Sequence, residues 1–305
     1  MSEERKPVDG AGVAIMTVLC VVLGLHQVAI KMAAPDIAPI LQIAIRSGLS
    51  AVLICILIAR RREGFSLRDG TLVPGIVLGV VFSLEFMFVA EGLRYTTASH
   101  MSVFLYTAPI FTALTLHRFL PAERLYPLQW LGIGLAFCGI VAAFAGGMFQ
   151  ADINERVLRG DVLAILGGIA WAGTTVIIRC TRLASAPATK TLLYQLLSAF
   201  VLLHAYAVAS GQAARFSLTT TAVASVLFQA VVITFATYLV WFSLLRRYNV
   251  SQLSVFLFMT PLFGVSFGVL LLHDPLDPHF VVGALLVLAG ITLVSKPDIR
   301  RRRAS

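Results

Sequence analysis

Leu93-Arg94-Tyr95-Thr96-Thr97-Ala98-Ser99-His100-Met101-Ser102-Val103-Phe104-Leu105-Tyr106-Thr107-Ala108-Pro109-Ile110-Phe111 returns 152 positions later as Leu245-Arg246-Arg247-Tyr248-Asn249-Val250-Ser251-Gln252-Leu253-Ser254-Val255-Phe256-Leu257-Phe258-Met259-Thr260-Pro261-Leu262-Phe263. Nine of the 19 aligned pairs are identical, among them the Ser-Val-Phe-Leu run and the proline that follows it. The match continues, one residue shorter, through Glu123/Asp274, Pro127/Pro278, Gly132/Gly283 and Gly139/Gly290. At a spacing of 148, Gly12, Val28 and Ile30 match Gly160, Val176 and Ile178, and Lys31 stands opposite Arg179. The chain therefore reads as two related halves.

Each half is too apolar to be a soluble core. The hydrophobic fraction is 58%, charged residues make up 13% and the mean hydropathy is +0.89, against about 45–50% apolar and about 25% charged in soluble domains. A membrane helix needs about 20 apolar residues, and such runs occur at 11–33, 37–59, 71–93, 97–118, 126–148, 160–182, 188–210, 219–245, 250–272 and 278–296. The run at 11–33 ends in Met32-Ala33-Ala34, like a secretory signal. It is too long for a typical signal core and has a counterpart in the second half, so it is retained as a span. The expected fold is an all-α membrane protein of about ten helices. Five helices per half force the two copies to cross in opposite directions, an inverted repeat. The organisation expected is a tail at 1–10, a first unit at 11–148, an external linker at 149–159, a second unit at 160–296 and a basic tail at 297–305.

The net charge of +9 lies in the segments between spans and reads as an orientation signal rather than a nucleic-acid surface. With ten spans, 18 Lys and Arg fall on the face carrying both termini and five on the other, while Arg46 lies within a span. This asymmetry predicts both termini in the cytoplasm and residence in the inner (plasma) membrane. Cys20, Cys55, Cys138 and Cys180 fall in apolar spans without metal-ligand spacing and are expected to be small buried hydrophobes, with neither disulfide nor metal. No Walker A, Gly-x-Ser-x-Gly or His-Glu-x-x-His sequence occurs, so neither direct ATP coupling nor an intramembrane hydrolase is expected, and no cofactor is implied.

The paired Ser-rich openings, the prolines in spans four and nine, the acid in the following loop and the glycines of spans five and ten resemble the EamA family of ten-helix carriers, within the drug/metabolite transporter superfamily. The resemblance covers nearly the whole chain. The family's usual Trp-Gly pair is replaced by Leu23-Gly24 in span one and partly preserved as Trp171-Ala172 in span six. The resemblance implies a transporter and not an enzyme.

Ionisable groups inside a span are costly and mark candidate sites. Arg46 and Glu85 each lie about nine residues from the outer end of their span, about 13 Å deep in a core of about 30 Å. They could pair, and three readings stay open: one or both face a substrate path, the pair is a structural link between spans two and three, or the two are not in contact. His26 lies slightly shallower, and its neighbour Gln27 corresponds through the repeat to Thr175, as His26 does to Thr174 and Glu85 to Thr237. Trp171 shares a helix face with Thr174 and Thr175, Trp241 shares one with Thr234 and Thr237, and Gln42 lies one turn from Arg46. A cavity wall and ordinary packing are both open for the tryptophans. Pro109 and Pro261 each remove an amide donor at equivalent positions and are expected to act as hinges or kinks.

The reading that follows is a secondary transporter of a small polar metabolite such as an amino acid. Export is expected ahead of uptake, by alternating access, with proton coupling through Glu85. A zwitterion would place its carboxylate at Arg46 and its ammonium at Glu85. The expected partners are a small-molecule substrate and the lipid bilayer, with a homodimer left open and no nucleic acid. A membrane enzyme or scaffold is the remote alternative.

Overall fold

The computed structural model describes residues 6–64, 66–96, 98–146, 154–214, 216–272 and 278–295. The helices are α1 (Gly10–Ala33), α2 (Pro39–Arg61), α3 (Leu72–Gly92), α4 (Ala98–Leu105), α5 (Ala108–Phe119), α6 (Pro127–Ala143), α7 (Glu155–Cys180), α8 (Ala188–Ala209), α9 (Thr220–Arg247), α10 (Val250–Phe256), α11 (Met259–Leu272) and α12 (Pro278–Ser295). Among the described residues seven stretches are long and apolar enough to cross a membrane, counting α10 and α11 together as one. The shorter α6 and α12 and the broken pair α4–α5 occupy the remaining three positions. The chain is thus an all-α, multi-pass membrane protein of about ten spans.

Starts are set locally. Asp9 accepts from Gly12 N, Asn154 from Arg156 N and Val157 N, Thr219 from Ala222 N and Asn249 from Gln252 N, each relieving amides that have no partner in a helix's first turn. Pro39 and Pro127 open α2 and α6, where a missing N–H costs nothing.

Four departures from the sequence reading have physical causes. Spans four and nine are each two helices. Proline cannot donate and its ring crowds the carbonyl four residues back, so the chain tightens ahead of it. Thr107 N donates to Phe104 O, and Phe258 N to Val255 O, at 3.2 Å each. The Thr107 hydroxyl donates to Phe104 O at 2.6 Å. Helix α7 begins at Glu155, five residues inside the expected linker, because Asn154 caps it there. Helix α9 runs to Arg247 and carries a widened π stretch over Gln229–Thr237. Only Cys20 is buried; Cys55, Cys138 and Cys180 are exposed. The tail at 1–5, the linker residues 147–153 and the basic tail 296–305 fall outside the described residues.

Packing partners obey an exchange of each span for the one five later. The pairs α2·α8 and α6·α12 map onto themselves, α3·α7 maps onto α1·α9, and α1 against α10–α11 maps onto α7 against α4–α5. In α6·α12 the repeat glycines meet crosswise: a Cβ on Gly132 would stand 2.7 Å from Gly290 O, and one on Gly139 would stand 2.7 Å from Gly283 O. Equivalent helices that pair in this order run antiparallel. The outer faces carry apolar side chains such as Val73, Leu218, Leu270 and Leu285, while Gln42, Arg46, Ser47, Ser50 and Gln229 are fully buried. This is the polarity a bundle in lipid requires.

Both ends of the described chain lie at one end of the bundle. Lys6 N donates to Arg247 O and Asn249 N to Lys6 O, both within the loop after α9. The Asn249 side chain reaches Ala122 O, and Gln129 at the start of α6 reaches Val294 O.

Candidate functional site

A cavity of about 610 Å³ opens inside the bundle. It runs from mid-bundle towards the end opposite the chain termini, where Ile30, Pro39, Leu93, Met101 and Val269 line it near their helix ends. Its floor, on the side of the termini, includes Leu19, Ile178, Phe242 and Leu257.

Seven of the ten residues singled out from sequence line this one cavity: His26, Glu85, Trp171, Thr174, Thr175, Thr237 and Trp241. Pro261 lines it too, whereas Pro109 does not. Gln42 and Arg46 are placed behind the wall. The side chain of Gln27 lies outside those described.

Of the alternatives that sequence left open for Arg46 and Glu85, the direct pair is not formed: no ion pair within 4.0 Å joins them among the described residues. The reason lies in helix order. Helix α2 packs chiefly on α8 and touches α3 only slightly, while α3 packs on α7 and α8, so equal depth on α2 and α3 does not by itself bring two side chains into contact. Arg46 instead meets His26 Nε2 through Nη1, and its guanidinium lies over the Phe86 ring at 5.5 Å. Gln42 continues this buried network: its Nε2 donates to Ile37 O at 2.8 Å, and its Oε1 accepts from Gln229 Nε2 at 2.7 Å. The Ser50 hydroxyl donates to Ala230 O at 2.8 Å, engaging the π stretch of α9.

Glu85 is different. Its carboxylate has no hydrogen-bond or ion-pair partner among the described residues. It is also the only acidic group on the cavity wall, and no Lys or Arg joins it there. Two of the wall hydroxyls are committed to backbone, Thr174 Oγ1 donating to Trp171 O at 2.7 Å and Thr237 Oγ1 to Val232 O at 2.9 Å. Trp171 meets Tyr106 edge to face at 5.4 Å, and Phe82 meets Tyr238 in the same way at 6.3 Å.

Sequence reasoning missed Tyr106, Tyr238 and Gln195 on the wall. Only Gln195 carried a signal, as a lone amide in an apolar span. Among the described residues no group of three His, Cys, Asp or Glu side chains is placed to hold a metal ion.

The floor is closed by charge as well as by packing. Arg179 Nε donates to Glu123 Oε1 at 2.9 Å, with both side chains buried. Glu123 Oε2 accepts from Val250 N at 2.9 Å and Ser251 N at 3.3 Å, the first amides of α10. One carboxylate thus ties the end of α7 to the start of α10. Nearby, Asp9 accepts from Gly12 N, Lys6 and Tyr248, and these donors hold its carboxyl well below the usual range.

Comparison with known proteins agrees with this architecture. A solved structure described as "Crystal structure of protein" superposes with a TM-score of 0.78 over 92% of this chain and 96% of that one at 18% identity, which establishes the likeness of fold alone. The "Uncharacterized transporter YoaV" of Bacillus subtilis is 25% identical over 92% of this chain and 94% of its own length. The "Probable amino-acid metabolite efflux pump" of Salmonella typhimurium is 26% identical over 89% of this chain and 90% of its own length. The model of the EamA-like transporter family matches residues 10–145 and again 158–296. The chain is accordingly a transporter in kind rather than an enzyme, and it belongs to the EamA-like transporter family.

Proposed function

We propose that this chain is an exporter of small polar organic solutes of amino-acid size, working by alternating access between units 11–148 and 160–296 and coupled to proton exchange at Glu85. It resides in the plasma membrane with both termini in the cytoplasm. In that orientation the cavity faces outward, and the Glu123–Arg179 link belongs to the cytoplasmic closure. The crosswise α6·α12 pairing and the span-exchange pattern support two oppositely oriented units.

The observation that carries the reading is Glu85, a carboxylate on the wall of a mid-membrane cavity with nothing bonded to it. An ionisable group is costly to keep there without a functional use. It is placed to take up a proton or a cationic group from the cavity and to release it after the cavity changes sides. Substrate and proton would then compete for one group, which couples their movements in opposite directions. The amino-acid export named for the Salmonella relative accords with the size of the cavity.

The test is solute exchange in proteoliposomes with and without a pH gradient. Glu85→Gln keeps the shape and removes the titration. It is expected to retain neutral-solute exchange and lose stimulation by the gradient. Gradient-driven transport surviving intact in this variant removes Glu85 as the proton carrier.

A further inference from the structure

Resting on the carrier reading above, we infer that the cavity selects organic cations, amines with an apolar or aromatic body, over the zwitterionic amino acids from which such amines derive. Three observations converge on this. Among the described residues Glu85 is the only acidic group on the wall and has no hydrogen bond or ion pair within 4.0 Å, so it can meet an ammonium group without first breaking an existing bond. Around it stand the rings of Trp171, Trp241, Tyr106, Tyr238 and Phe82, and aromatic faces attract cations. Gln195, also on the wall, has a buried Oε1 without a hydrogen-bond partner, an acceptor that a small turn of its amide would bring to an ammonium N–H.

A carboxylate entering the same space fares badly. Arg46, the cation that sequence offered for it, is engaged by His26 and Phe86 and does not itself line the cavity. The hydroxyl protons of Thr174 and Thr237 are spent on backbone carbonyls. With no Lys or Arg among the described wall residues, a buried carboxylate is left to neutral donors such as Thr175 and Ser102, which offset its desolvation only in part. An inorganic cation is poorly served as well. It needs several oxygen ligands, and among the described residues Glu85 has no second acidic side chain beside it.

A matched series isolates charge from shape: phenethylamine, phenylalanine and phenylacetate share one ring and differ in being cation, zwitterion and anion. Binding to the purified full chain in detergent, with Trp130 replaced by Phe, is read from the fluorescence of Trp171 and Trp241, with all three compounds also competed against one another. Phenethylamine is expected to bind about tenfold tighter than phenylalanine, a gap of about 1.4 kcal/mol, and phenylacetate more weakly still. Glu85→Gln is expected to close the gap. Phenylalanine binding as well as phenethylamine, or a gap that survives in Glu85→Gln, overturns the inference; so does the failure of all three to bind. Counterflow of a broad solute panel in proteoliposomes keeps the two levels apart. Flux of zwitterions without amines overturns the substrate class and leaves the carrier standing, whereas no flux of any solute overturns both. The wild-type series decides the question even if the variant does not fold.

Discussion

At Arg46 the guanidinium is held between His26 and the Phe86 ring, with the residue only 1% exposed, whereas Glu85 faces open space. The two charges therefore have different tasks, and substitutions separate them. Arg46→Gln removes a hydrogen bond to a buried group and a cation–π contact, so it is expected to cost about 1–3 kcal/mol of stability. Its effect on ligand affinity should be smaller. Glu85→Gln is expected to do the reverse. Thermal unfolding set beside ligand titration for both variants checks the assignment, and a loss of affinity in Arg46→Gln as large as in Glu85→Gln would put Arg46 back in the site. The charged groups at the bundle ends carry a pH signature of their own. Asp69 is held to about 2, below its ordinary 3.8, by hydrogen bonds from Lys190 and Thr71. A depressed carboxylate lends stability above its unfolded value and loses it as pH falls through the folded one. Asp69 and Asp9 therefore contribute constantly across neutral pH and let go only in strong acid. Hydrogen exchange in the 66–71 loop is expected to be unchanged by their titration from pH 8 to about 5 and to rise only nearer the ordinary carboxylate range. Loosening of that loop near neutrality contradicts this assignment.

In the alternating-access reading proposed above, the broken span is the element that moves. Helix α10 is tied at its first amides to Glu123, and Glu123 to Arg179 of α7, so opening the floor requires this link to part. Glu123→Ala leaves Arg179 buried without its partner and the Val250 and Ser251 amides without their acceptor, while the Asn249 cap stays, costs of about 3–5 and about 1 kcal/mol in their respective kinds. The variant is expected to populate a form open at the terminal end. Cys20 reports on it, since it is buried with Sγ donating to Phe256 O of α10. With Cys55, Cys138 and Cys180 replaced by Ala, a membrane-impermeant thiol reagent applied from the side of the termini should label Cys20 about tenfold faster in Glu123→Ala, matching a shift of about 1.4 kcal/mol. Equal rates would mean that the link is not part of the closure. Restoring the amides at Pro109 and Pro261 by a double Ala substitution should in turn slow transport while leaving insertion intact, and unchanged kinetics would reduce both prolines to packing features. The breaks themselves are legible in the two prolines because the cause is local. The π stretch is not, because Gln229-Ala230-Val231-Val232-Ile233-Thr234-Phe235-Ala236-Thr237 contains neither proline nor glycine and is met by distant partners, Gln42 and Ser50. Depth arithmetic located Glu85 and His26 on the same cavity, yet it could not tell that α8 packs on both α2 and α3 and keeps Arg46 from Glu85. Sequence spacing carries level along a helix; azimuth around it comes only from packing.

For the whole molecule, the repeat, the basic residues and the positions of the ends bear on one question, the direction in which the bundle sits in the membrane. Lys6 is joined to Arg247 and Asn249, Asn249 to Ala122, and Gln129 to Val294, so the start of α1, the end of α9, the turn after α5 and the end of α12 share one end. That end also carries Arg60, Arg61, Arg118, Arg124, Arg179, Arg182 and Lys190. The opposite end has far fewer basic residues, with Lys31, Arg94, Arg156 and Arg159 near its helix termini. Positive charge in short loops resists translocation, so the richly basic end should stay in the cytoplasm and the cavity should open away from it. Reporter fusions placed before Met1 and after Arg303 are both expected to give cytoplasmic signals, and one placed in the 149–153 segment a periplasmic signal. A periplasmic reading from one terminus alone would break the even number of crossings. From both termini together it would invert the bundle, turn the cavity towards the cytoplasm, and make Glu123–Arg179 an external closure instead of an internal one.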